Sequence, residues 1–467
     1  MECVIHWFRR DLRLRDNTAL EGALRTGVPV VPVFILDHRL LSQPTMGERR
    51  LQFLRTALLD LDARLRERGS RLLVLRADDP ARELNRVAEE VGAWALFFNR
   101  DYTPYARWRD TRATRGMQMT GVVTMPTDDL LLVPPLATLG AGDRFPETFA
   151  AFTRRWFEAL DLEPEPAPVD GAFMAAEEMP AGAAGWEDLL SPGLAAASDW
   201  PGATPLSAET RLVDFVRHQL AGYLEGRDRR GELNLTSRLS AALKFGTISV
   251  RRVARTAIAY AAQDPQSQPA TERFILELGW RDYAHHMLFH RPELLREPLR
   301  HPAGAMSSAP VEGGLDAWIR GQTGIPLVDA GLAQMHTEGF MHNRVRMVVA
   351  SFLAHQLGAD WRAGERHFAR HLVDHDVASN DLGWQWAVGV GANAAPYRRT
   401  LTPRRQGEKF DPGGVYVRQH VPALRDVPDR YIHHPWNMPL DVQESSACRI
   451  GIDYPAPVTA VATSRRP

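Results

Sequence analysis

The sequence is poor in cysteine and lysine. Its only cysteines are Cys3 and Cys448, which excludes a disulfide framework and a cysteine-ligated metal site and fits a reducing cytoplasm. Its only lysines are Lys244 and Lys409, so nearly every cation is an arginine, the side chain that can bind phosphate through two N–H groups. No uninterrupted apolar run approaches the roughly 20 residues of a membrane helix, and the start, MECVIHWFRR, has no signal-peptide layout. We therefore expect a cytoplasmic protein that does not cross a membrane.

Two common nucleotide-binding motifs are also missing. The first apolar run is followed by RRDLRLRDNTAL and not by G-x-G-x-x-G, and G-x-x-x-x-G-K-[ST] does not occur. A typical dinucleotide or P-loop site is therefore not expected. The first 130 residues nevertheless alternate five apolar runs with amphipathic helical patterns, and the runs are CVIHWF, VPVVPVFIL, RLLVLRA, AWALFFN and GVVTMP. This alternation predicts a parallel sheet with helices on its faces.

The charge is nearly balanced overall but unevenly distributed. The net charge is −1, yet residues 156–210 carry eleven acidic side chains and no basic one, so the remainder carries +10. That surplus permits a basic nucleic-acid groove, and a solvated surface of mixed charge remains open. Residues 131–205 are rich in Pro, Gly, Ala and acid, and helical periodicity dominates beyond them. We predict an α/β domain at 1–130, a connector at 131–205 and a helical domain at 206–467.

Side chains suited to chemistry concentrate between residues 324 and 409. One apolar face of a helix is predicted from the helical spacing of Val345, Val348, Val349, Phe352 and Leu353. Polar groups crowd the first turn of this helix, and carboxylates, an amide and tryptophans follow it: Asn343, Arg344, Arg346, Met347, Trp361, Asp374, Asp376, Asn380, Trp384 and Trp386. Such a mixture suits a flat, partly charged organic cofactor better than a plain core.

The longest motifs of this stretch resemble the photolyase/cryptochrome family, and most closely its class I cyclobutane pyrimidine dimer photolyases. They are GIPLVDAG, MHNRVRM, DWRAGERHF, GWQWAVGVGANAAPY and QGEKFD, and the N-terminal WFRRDLRLRDN and FFNRDYTPY resemble the family's antenna domain. The resemblance implies a Rossmann-like α/β antenna domain joined by a long connector to an all-α FAD-binding domain. It also implies light-driven repair of cyclobutane pyrimidine dimers in DNA, by electron transfer from excited reduced FAD to a flipped-out dimer.

The resemblance further implies a set of FAD contacts, in which TSRLS binds the diphosphate and Asn380 lies at the flavin N5. An amide there adds no negative charge to an anionic reduced ring. Ordinary helix capping by TSRLS and a purely structural ion pair of Arg346 with Asp374 remain open alternatives. The implied contacts are Tyr223, Thr236, Ser237, Arg238, Leu239, Ser240, Arg281, Arg346, Asp374, His375, Asp376 and Asn380.

Damaged DNA, double- or single-stranded, is the partner that the resemblance implies for a monomer without an obligate protein partner. Trp280 and Trp386 would sandwich the flipped dimer, with each stacked base worth roughly 1–3 kcal/mol. The implied catalytic residues are Glu277, Asn343, Met347 and Asn380. The implied DNA contacts are Arg227, Glu277, Trp280, Arg281, Asn343, Arg344, Met347, Trp386, Arg399 and Gln406.

Two further features of the family are altered here. Trp384 and Trp361 match the inner two members of the photoreduction triad, but Ser308 stands at the outer position, so another aromatic side chain would supply the exit or photoactivation would be slow. Folate-binding relatives carry an Asn-Glu pair and a Cys-Lys pair where this chain has Tyr105-Ala106 and Leu295-Arg296. A deazaflavin or a second flavin is therefore favoured over folate as the antenna pigment, and an empty site stays open.

Three alternatives are weighed against this interpretation. A cryptochrome-type photoreceptor would signal without repair, although the chain ends soon after IDYPAPV and has no long tail. A (6-4) photolyase would need a histidine near Asn343, and His342 is adjacent. His367, His371 and His375 recur every four residues, as in zinc-binding helices, but no H-E-x-x-H and no nearby cysteine accompany them. Surface or packed histidines are favoured, and no metal is expected.

Overall fold

The computed structural model describes residues 2–140, 142, 144–186, 203–226, 236–300, 309–392 and 401–459. The chain divides into two compact units. Unit 1 comprises Met1–Ala221, Ser237–Glu293 and Asp374–Ala378, and unit 2 comprises Gly222–Thr236, Leu294–Val373 and Ser379–Pro467. These bounds do not follow the predicted division at residues 130 and 205, which stays a prediction.

Five parallel strands form the sheet of unit 1, in the order β3-β2-β1-β4-β5. They are β1 Cys3–Phe8, β2 Val30–Asp37, β3 Leu73–Ala77, β4 Ala93–Asn99 and β5 Val123–Thr127. Every residue of β1 and β2 is buried, because a parallel sheet covered on both faces selects continuous apolar runs instead of alternation. The predicted parallel sheet is confirmed, and its strand order reverses between β1 and β4.

Helices make up most of the remaining described structure. In chain order they are α1 Thr18–Leu24, α2 His38–Leu41, α3 Glu48–Arg66, α4 Pro80–Val91, α5 Pro104–Met119, α6 Phe149–Ala159, α7 Pro205–His218, α8 Tyr223–Gly226, α9 Ser240–Phe245, α10 Val250–Gln263, α11 Gln268–His290, α12 Gly314–Arg320, α13 Pro326–Glu338, α14 Asn343–His355, α15 Trp361–His371, α16 Val377–Val388, α17 Pro403–Phe410, α18 Val415–His420 and α19 Leu440–Ser445. Short 3₁₀ turns lie at Pro135–Thr138, Ala176–Glu178, Pro265–Ser267, Pro292–Leu295, Pro422–Leu424, Asp429–Tyr431 and Pro435–Asn437. No described helix has the length and the apolar character needed to cross a bilayer.

Side-chain caps mark where several of these helices begin. Asn17, Asp79, Thr103, Thr148 and Ser249 each accept a hydrogen bond from a backbone N–H in the first turn of the following helix. Such caps satisfy donors that have no partner within the helix. They explain why these helices start at a polar residue and not at the first apolar one.

A buried carboxylate connects three parts of unit 1. Asp282, on α11, is completely buried, and its Oδ2 accepts hydrogen bonds from the backbone N–H groups of Leu132 and Val133 at 2.9 and 3.0 Å. The indole Nε1 of Trp156, on α6, donates to the same oxygen at 3.0 Å. One side chain thus fixes the backbone at Leu132 and Val133, and also α6, on the helix that carries Glu277 and Trp280.

The core of unit 2 is built around α14. Val345, Val348, Val349, Phe352 and Leu353 are all completely buried in one cluster. The helix face predicted from their spacing is therefore confirmed. Asn343, in the first turn of α14, is exposed, whereas Arg344 and Arg346 are half-buried beside the core positions.

Candidate functional site

A buried cluster of charges surrounds Asp376 in unit 1. Its Oδ2 accepts a hydrogen bond from Arg10 at 2.6 Å, and its Oδ1 lies 3.3 Å from Nε2 of His285. Arg10 also lies 3.6 Å from Asp101. Burial alone would raise the pKa of Asp376, but the charges of His285 and Arg10 hold it well below the ordinary value. Asp376 is therefore a permanent carboxylate.

Two more cations, Lys244 and Arg281, lie at this cluster and are half-buried. Burial lowers the pKa of Lys244 to about 7, an effect strengthened by Arg10 and opposed by Asp376. Arg281 donates to the backbone carbonyls of Leu130 at 2.8 Å and Leu243 at 3.4 Å, and burial lowers its pKa as well. The cluster thus partly removes cationic side chains from water. An anionic ligand would stabilise these cations.

The residues just before Asp376 contact a different arginine. Nη1 of Arg50 lies 2.6 Å from Nδ1 of His375. Burial lowers the pKa of Arg50 to about 10, and the charge of Asp374 partly opposes this effect. Asp374, His375 and Asp376 therefore form a polar turn at the start of α16, each engaged with unit 1 side chains.

The TSRLS motif has an unusual backbone. Arg238 has a left-handed φ of +49°, and Leu239 follows with φ −89° and ψ 0° before α9 begins at Ser240. A left-handed residue next to a right-handed one directs successive N–H groups into a small concavity that binds anions. Arg211 donates to the carbonyl of Ser237 at 2.9 Å, and burial and the charge of Arg238 lower its pKa. Two guanidinium groups near one concavity favour a phosphate ligand.

In unit 2, Asn380 is oriented by Glu365. Its Nδ2 donates to Oε1 of Glu365 at 2.7 Å and to the backbone carbonyl of the same residue at 3.3 Å. Within the described residues, the Oδ1 of Asn380 accepts no hydrogen bond. Burial raises the pKa of Glu365 and raises that of the neighbouring Asp381 to about 7. The amide is thus held with its carbonyl oxygen available to a ligand.

The start of α14 presents polar side chains in a defined arrangement. Nδ1 of His342 accepts the backbone N–H of Arg344 at 3.2 Å, so this buried histidine caps the helix. Asn343 is exposed, and Met347 is half-buried against the unit 2 core. Arg346 donates to the carbonyl of Met341 at 2.8 Å. The predicted pairing of Arg346 with Asp374 stays a prediction.

Trp384 lies in the core of unit 2 with aromatic neighbours. Its ring makes T-shaped contacts with Phe368 at 4.9 Å and with Trp318 at 6.3 Å. Among the described atoms, its buried Nε1 has no hydrogen-bond partner. Trp361 is also buried and lies under the guanidinium of Arg362 at 4.7 Å. Trp318, which the sequence did not single out, is thus an aromatic neighbour of the predicted inner tryptophan.

Trp280 and Glu277, the implied lesion contacts on α11, have partners within unit 1. Phe149 stacks on Trp280 with ring centroids 3.4 Å apart and planes inclined by 9°. Glu277 forms an ion pair with Arg273 one helical turn away. One face of Trp280 is therefore covered by a residue from α6, and a base could stack only on its other face.

Comparisons with known proteins identify the family of the chain. The family model for DNA photolyase matches residues 4–170, and the model for the FAD binding domain of DNA photolyase matches residues 274–467. A deoxyribodipyrimidine photo-lyase of Agrobacterium fabrum is 37% identical over 97% of this chain and 94% of its own length. That of Escherichia coli is 33% identical over 97% of this chain and 94% of its own. The chain belongs to the photolyase/cryptochrome family.

Solved structures of the photolyase/cryptochrome family share the fold. A class III photolyase from Agrobacterium tumefaciens has a TM-score of 0.87 at 35% identity, covering 98% of this chain and 94% of its own. An archaeal photolyase from Sulfolobus tokodaii, solved with two FAD molecules, has a TM-score of 0.80 at 32% identity, covering 98% and 96%. A cryptochrome from Synechocystis has a TM-score of 0.87 at 27% identity, covering 98% and 96%. The predicted fold and family are confirmed.

Three of the remaining predicted residues lie outside the described parts of the chain, and four lie within them. Arg227 and Arg399, expected at the DNA backbone, and Ser308, at the outer electron-transfer position, lie outside the described residues. Gln406 lies on α17, and Trp386 is half-buried against the unit 2 core. Tyr223 is buried on α8, and Thr236 lies just before the TSRLS turn.

Other residues were missed by the sequence reasoning. Arg10, Asp101, Lys244 and His285 contribute to the cluster around Asp376, although the sequence analysis gave none of them a role. Arg10 and Asp101 stand within the motifs WFRRDLRLRDN and FFNRDYTPY, so membership in those motifs was the available signal.

The four-residue spacing of His367, His371 and His375 does not place all three on one helix, because α15 ends at His371. α15 ends at His371 with an extended residue after it, so His375 is not on the same helix face as His367 and His371. Instead, His336 of α13 lies against both, with ring centroids 5.2 and 4.8 Å from theirs.

Proposed function

We propose that this protein is a deoxyribodipyrimidine photo-lyase, a carbon–carbon lyase that uses blue or near-ultraviolet light and FAD to split cyclobutane pyrimidine dimers in DNA. The observation that carries the proposal is the 37% identity to a curated deoxyribodipyrimidine photo-lyase over 97% of the chain. The geometry of individual residues supports this proposal.

Polar groups that suit FAD occur in each unit taken by itself. In unit 1, the left-handed turn at Arg238 and the adjacent Arg211 suit a diphosphate, because backbone N–H groups and two guanidiniums converge there. The residues that would hold the diphosphate end are Thr236, Ser237, Arg238, Leu239 and Ser240, with Tyr223. Arg281, Arg346, Asp374, His375, Asp376 and Asn380 would hold the flavin ring.

Asn380 supports the reduced form of the cofactor. Glu365 fixes the amide nitrogen of Asn380 at 2.7 Å, which leaves the carbonyl oxygen as an acceptor. A reduced flavin carries a hydrogen at N5, and the carbonyl oxygen of Asn380 would accept a hydrogen bond from it. When bound, reduced and excited, FAD supplies an electron to the dimer and takes it back after the ring has opened.

The chain's own residues would bind and orient the lesion. Trp280 offers one face for stacking, since Phe149 covers the other. Glu277, Asn343 and Met347 would contact the flipped bases, a flip that costs only a few kcal/mol at a badly stacked dimer. Trp384 and Trp361 would carry electrons during photoreduction. Trp318 contacts Trp384 but is completely buried, so it could extend the aromatic chain inside unit 2 without itself reaching solvent.

The lesion specificity rests on α14. His342 is engaged as the cap of the helix, with its Nδ1 accepting from Arg344, and is buried. Asn343 is the exposed side chain at this position. A ring-opening that needs no net proton transfer is compatible with an amide, and this favours cyclobutane dimers over (6-4) lesions.

A second pigment is part of the proposal. The sheet order reverses between β1 and β4, the place where open parallel sheets bind ligands. Tyr105 stands at a position where folate-binding relatives carry Asn. Its hydroxyl group donates a hydrogen bond to Asp37 at 2.5 Å. We infer a deazaflavin or a flavin, not folate, as the antenna pigment.

We further propose that the protein acts as a cytoplasmic monomer on double- or single-stranded damaged DNA. Two free, buried cysteines fit a reducing compartment. Arg227, Arg344, Trp386, Arg399 and Gln406 would contact the DNA. The division into an antenna domain at 1–130, a connector at 131–205 and a catalytic domain at 206–467 is proposed on the same resemblance.

A repair assay tests the function. FAD-loaded, chemically reduced protein is incubated under blue light with oligothymidine that contains cyclobutane dimers, and recovery of thymine absorbance is followed. We expect recovery with light and none in the dark. Lack of recovery with reduced flavin bound would refute repair and favour a photoreceptor, and recovery only on a (6-4) substrate would reassign the lesion.

Replacement of Trp280 by Ala tests the lesion pocket. Loss of one stacked base should weaken binding to dimer-containing DNA by about 1–3 kcal/mol, with a much smaller loss for undamaged DNA. Trp108→Ala, at an indole that is 43% exposed on α5, is the matched control and should leave both affinities unchanged. Equal losses on both DNAs for Trp280→Ala would show that Trp280 does not touch the lesion.

A further inference from the structure

Three histidines of unit 2 form a cluster that the proposed repair chemistry does not use. His336 lies in the last turn of α13, and His367 and His371 lie four residues apart on α15, on one face of that helix. Nε2 of His336 is 3.0 Å from Nε2 of His367, and one ring nitrogen of each histidine lies within 4.8 Å of the others. We propose that these three imidazoles bind a divalent transition-metal ion, with Zn²⁺ as the first candidate.

The spacing of the nitrogens fits such an ion. With Zn–N bonds of about 2.0–2.1 Å in tetrahedral geometry, neighbouring ligand nitrogens lie about 3.3 Å apart. The Nε2 atoms of His336 and His367 lie 3.0 Å apart, and one nitrogen of each of the three histidines lies within 4.8 Å of the others. Ion binding would therefore require only adjustments of about 1 Å in these distances.

The backbone holds the two helices in this arrangement. Gly339 follows the last residue of α13 and has a left-handed φ of +62°. The carbonyl of Gly339 accepts a hydrogen bond from the N–H of Val373 at 2.9 Å, just beyond the end of α15. Trp318 packs on the ring of His367 at 5.4 Å and is itself fixed by a hydrogen bond from its Nε1 to the carbonyl of Val349. The ligands are therefore presented by rigid elements before any ion binds, which reduces the cost of binding.

The donor set selects the class of ion. Three imidazoles without sulfur or carboxylate favour Zn²⁺, Cu²⁺, Ni²⁺ or Co²⁺ over Ca²⁺ or Mg²⁺, which prefer oxygen ligands. All three histidines are half-buried, so an ion can enter from solvent and keep a water molecule as a fourth ligand. Because its ligands come from both helices, the ion would link α13 to α15.

Metal analysis of the FAD-loaded full chain tests this proposal. The protein is prepared without a histidine tag, treated with a chelator, titrated with Zn²⁺ against a colorimetric chelator, and analysed for bound zinc after gel filtration. We expect one ion per chain and a higher thermal unfolding midpoint with Zn²⁺. His336→Gln and His371→Gln, made separately, should each abolish the bound ion and the shift in midpoint. His218→Gln, at an exposed histidine on α7, is the control and should behave like the parent.

The results separate a metal site from histidine packing. If the parent binds no more zinc than His336→Gln and His371→Gln, the proposal is wrong and the 3.0 Å contact is a histidine–histidine hydrogen bond. Loss of zinc in both variants, with flavin content and repair activity retained, supports the site. Because repair is measured on the same samples, failure of the metal proposal is distinguishable from failure of the proposed function.

Discussion

Gly364 is predicted to be essential for the position of Trp384. A Cβ at Gly364 would lie 2.2 Å from Cη2 of Trp384 and 2.5 Å from Cδ2 of Leu353. Ordinary contact would require a displacement of about 1 Å, and the indole has little room, because Phe368 and Trp318 pack against it. Overpacking of this kind typically costs about 1–3 kcal/mol.

The substitution Gly364→Ala also has a favourable term. Alanine is better than glycine by about 1 kcal/mol inside a helix, and Gly364 is interior to α15. Since the indole is confined, we place the steric cost near the top of its range, which leaves a net loss of about 2 kcal/mol in the free energy of unfolding. The displaced ring should also slow photoreduction of the flavin.

Gly279→Ala is the matched control. This glycine is also buried inside a helix and also faces a tryptophan, but its Cβ would lie 3.6 Å from the ring of Trp156, an ordinary contact. We expect a gain of up to about 1 kcal/mol, from helix propensity alone. Denaturant unfolding gives the two stabilities, and single-wavelength kinetics under blue light give the photoreduction rate.

The functional measurement separates the tryptophan chain from repair. Chemically reduced Gly364→Ala should repair dimers at the parent rate while its photoreduction from the oxidised state is slower. If photoreduction and stability of Gly364→Ala match those of Gly279→Ala, the reasoning about Trp384 is refuted.

Two further predictions concern buried carboxylates. Asp282→Ala leaves the three hydrogen-bond donors around Asp282 without an acceptor, so we expect a loss of about 3–5 kcal/mol in denaturant unfolding, and a smaller loss for Asp282→Asn; equal losses would contradict the hydrogen-bond explanation. The pKa of Asp381 is raised to about 7, so the folded state keeps a proton that the unfolded state has already released, and stability falls as pH rises from about 4 through 7. Between pH 6 and 8 we expect the parent to lose about 1 kcal/mol relative to Asp381→Asn, which keeps an acceptor for Gln385; parallel pH profiles of the two proteins would be inconsistent with a buried, protonated Asp381.

Local patterns in the sequence predicted the elements well. The five strands were visible as apolar runs, because strands covered on both faces need continuous hydrophobic residues. The core face of α14 followed from the spacing of Val345, Val348 and Val349, since helical periodicity is a property of consecutive residues. Each of these patterns lies within about ten consecutive residues, so it can be recognised without knowing the rest of the fold.

Partners that are distant in the chain were not predictable in this way. Arg10 and Asp376 are 366 residues apart and hydrogen-bond at 2.6 Å, and neither position indicates the other. Phe149 lies in a stretch that reads as part of the connector, yet it covers a face of Trp280. Contacts of this kind depend on how helices pack, which periodicity does not encode.

The histidines show how one helix end changes a chemical interpretation. Their four-residue spacing continues through His375, but the helix ends at His371, and Leu372 is already extended. His375 instead contacts Arg50. The third imidazole comes from His336, on a helix whose carboxyl end is joined to the end of α15 by the hydrogen bond between Val373 and Gly339. The spacing thus pointed to His375, and no metal was expected from it. The contact of His336 with His367 and His371, on which the proposed site rests, was not visible in the sequence, because the two helices are separate in the chain.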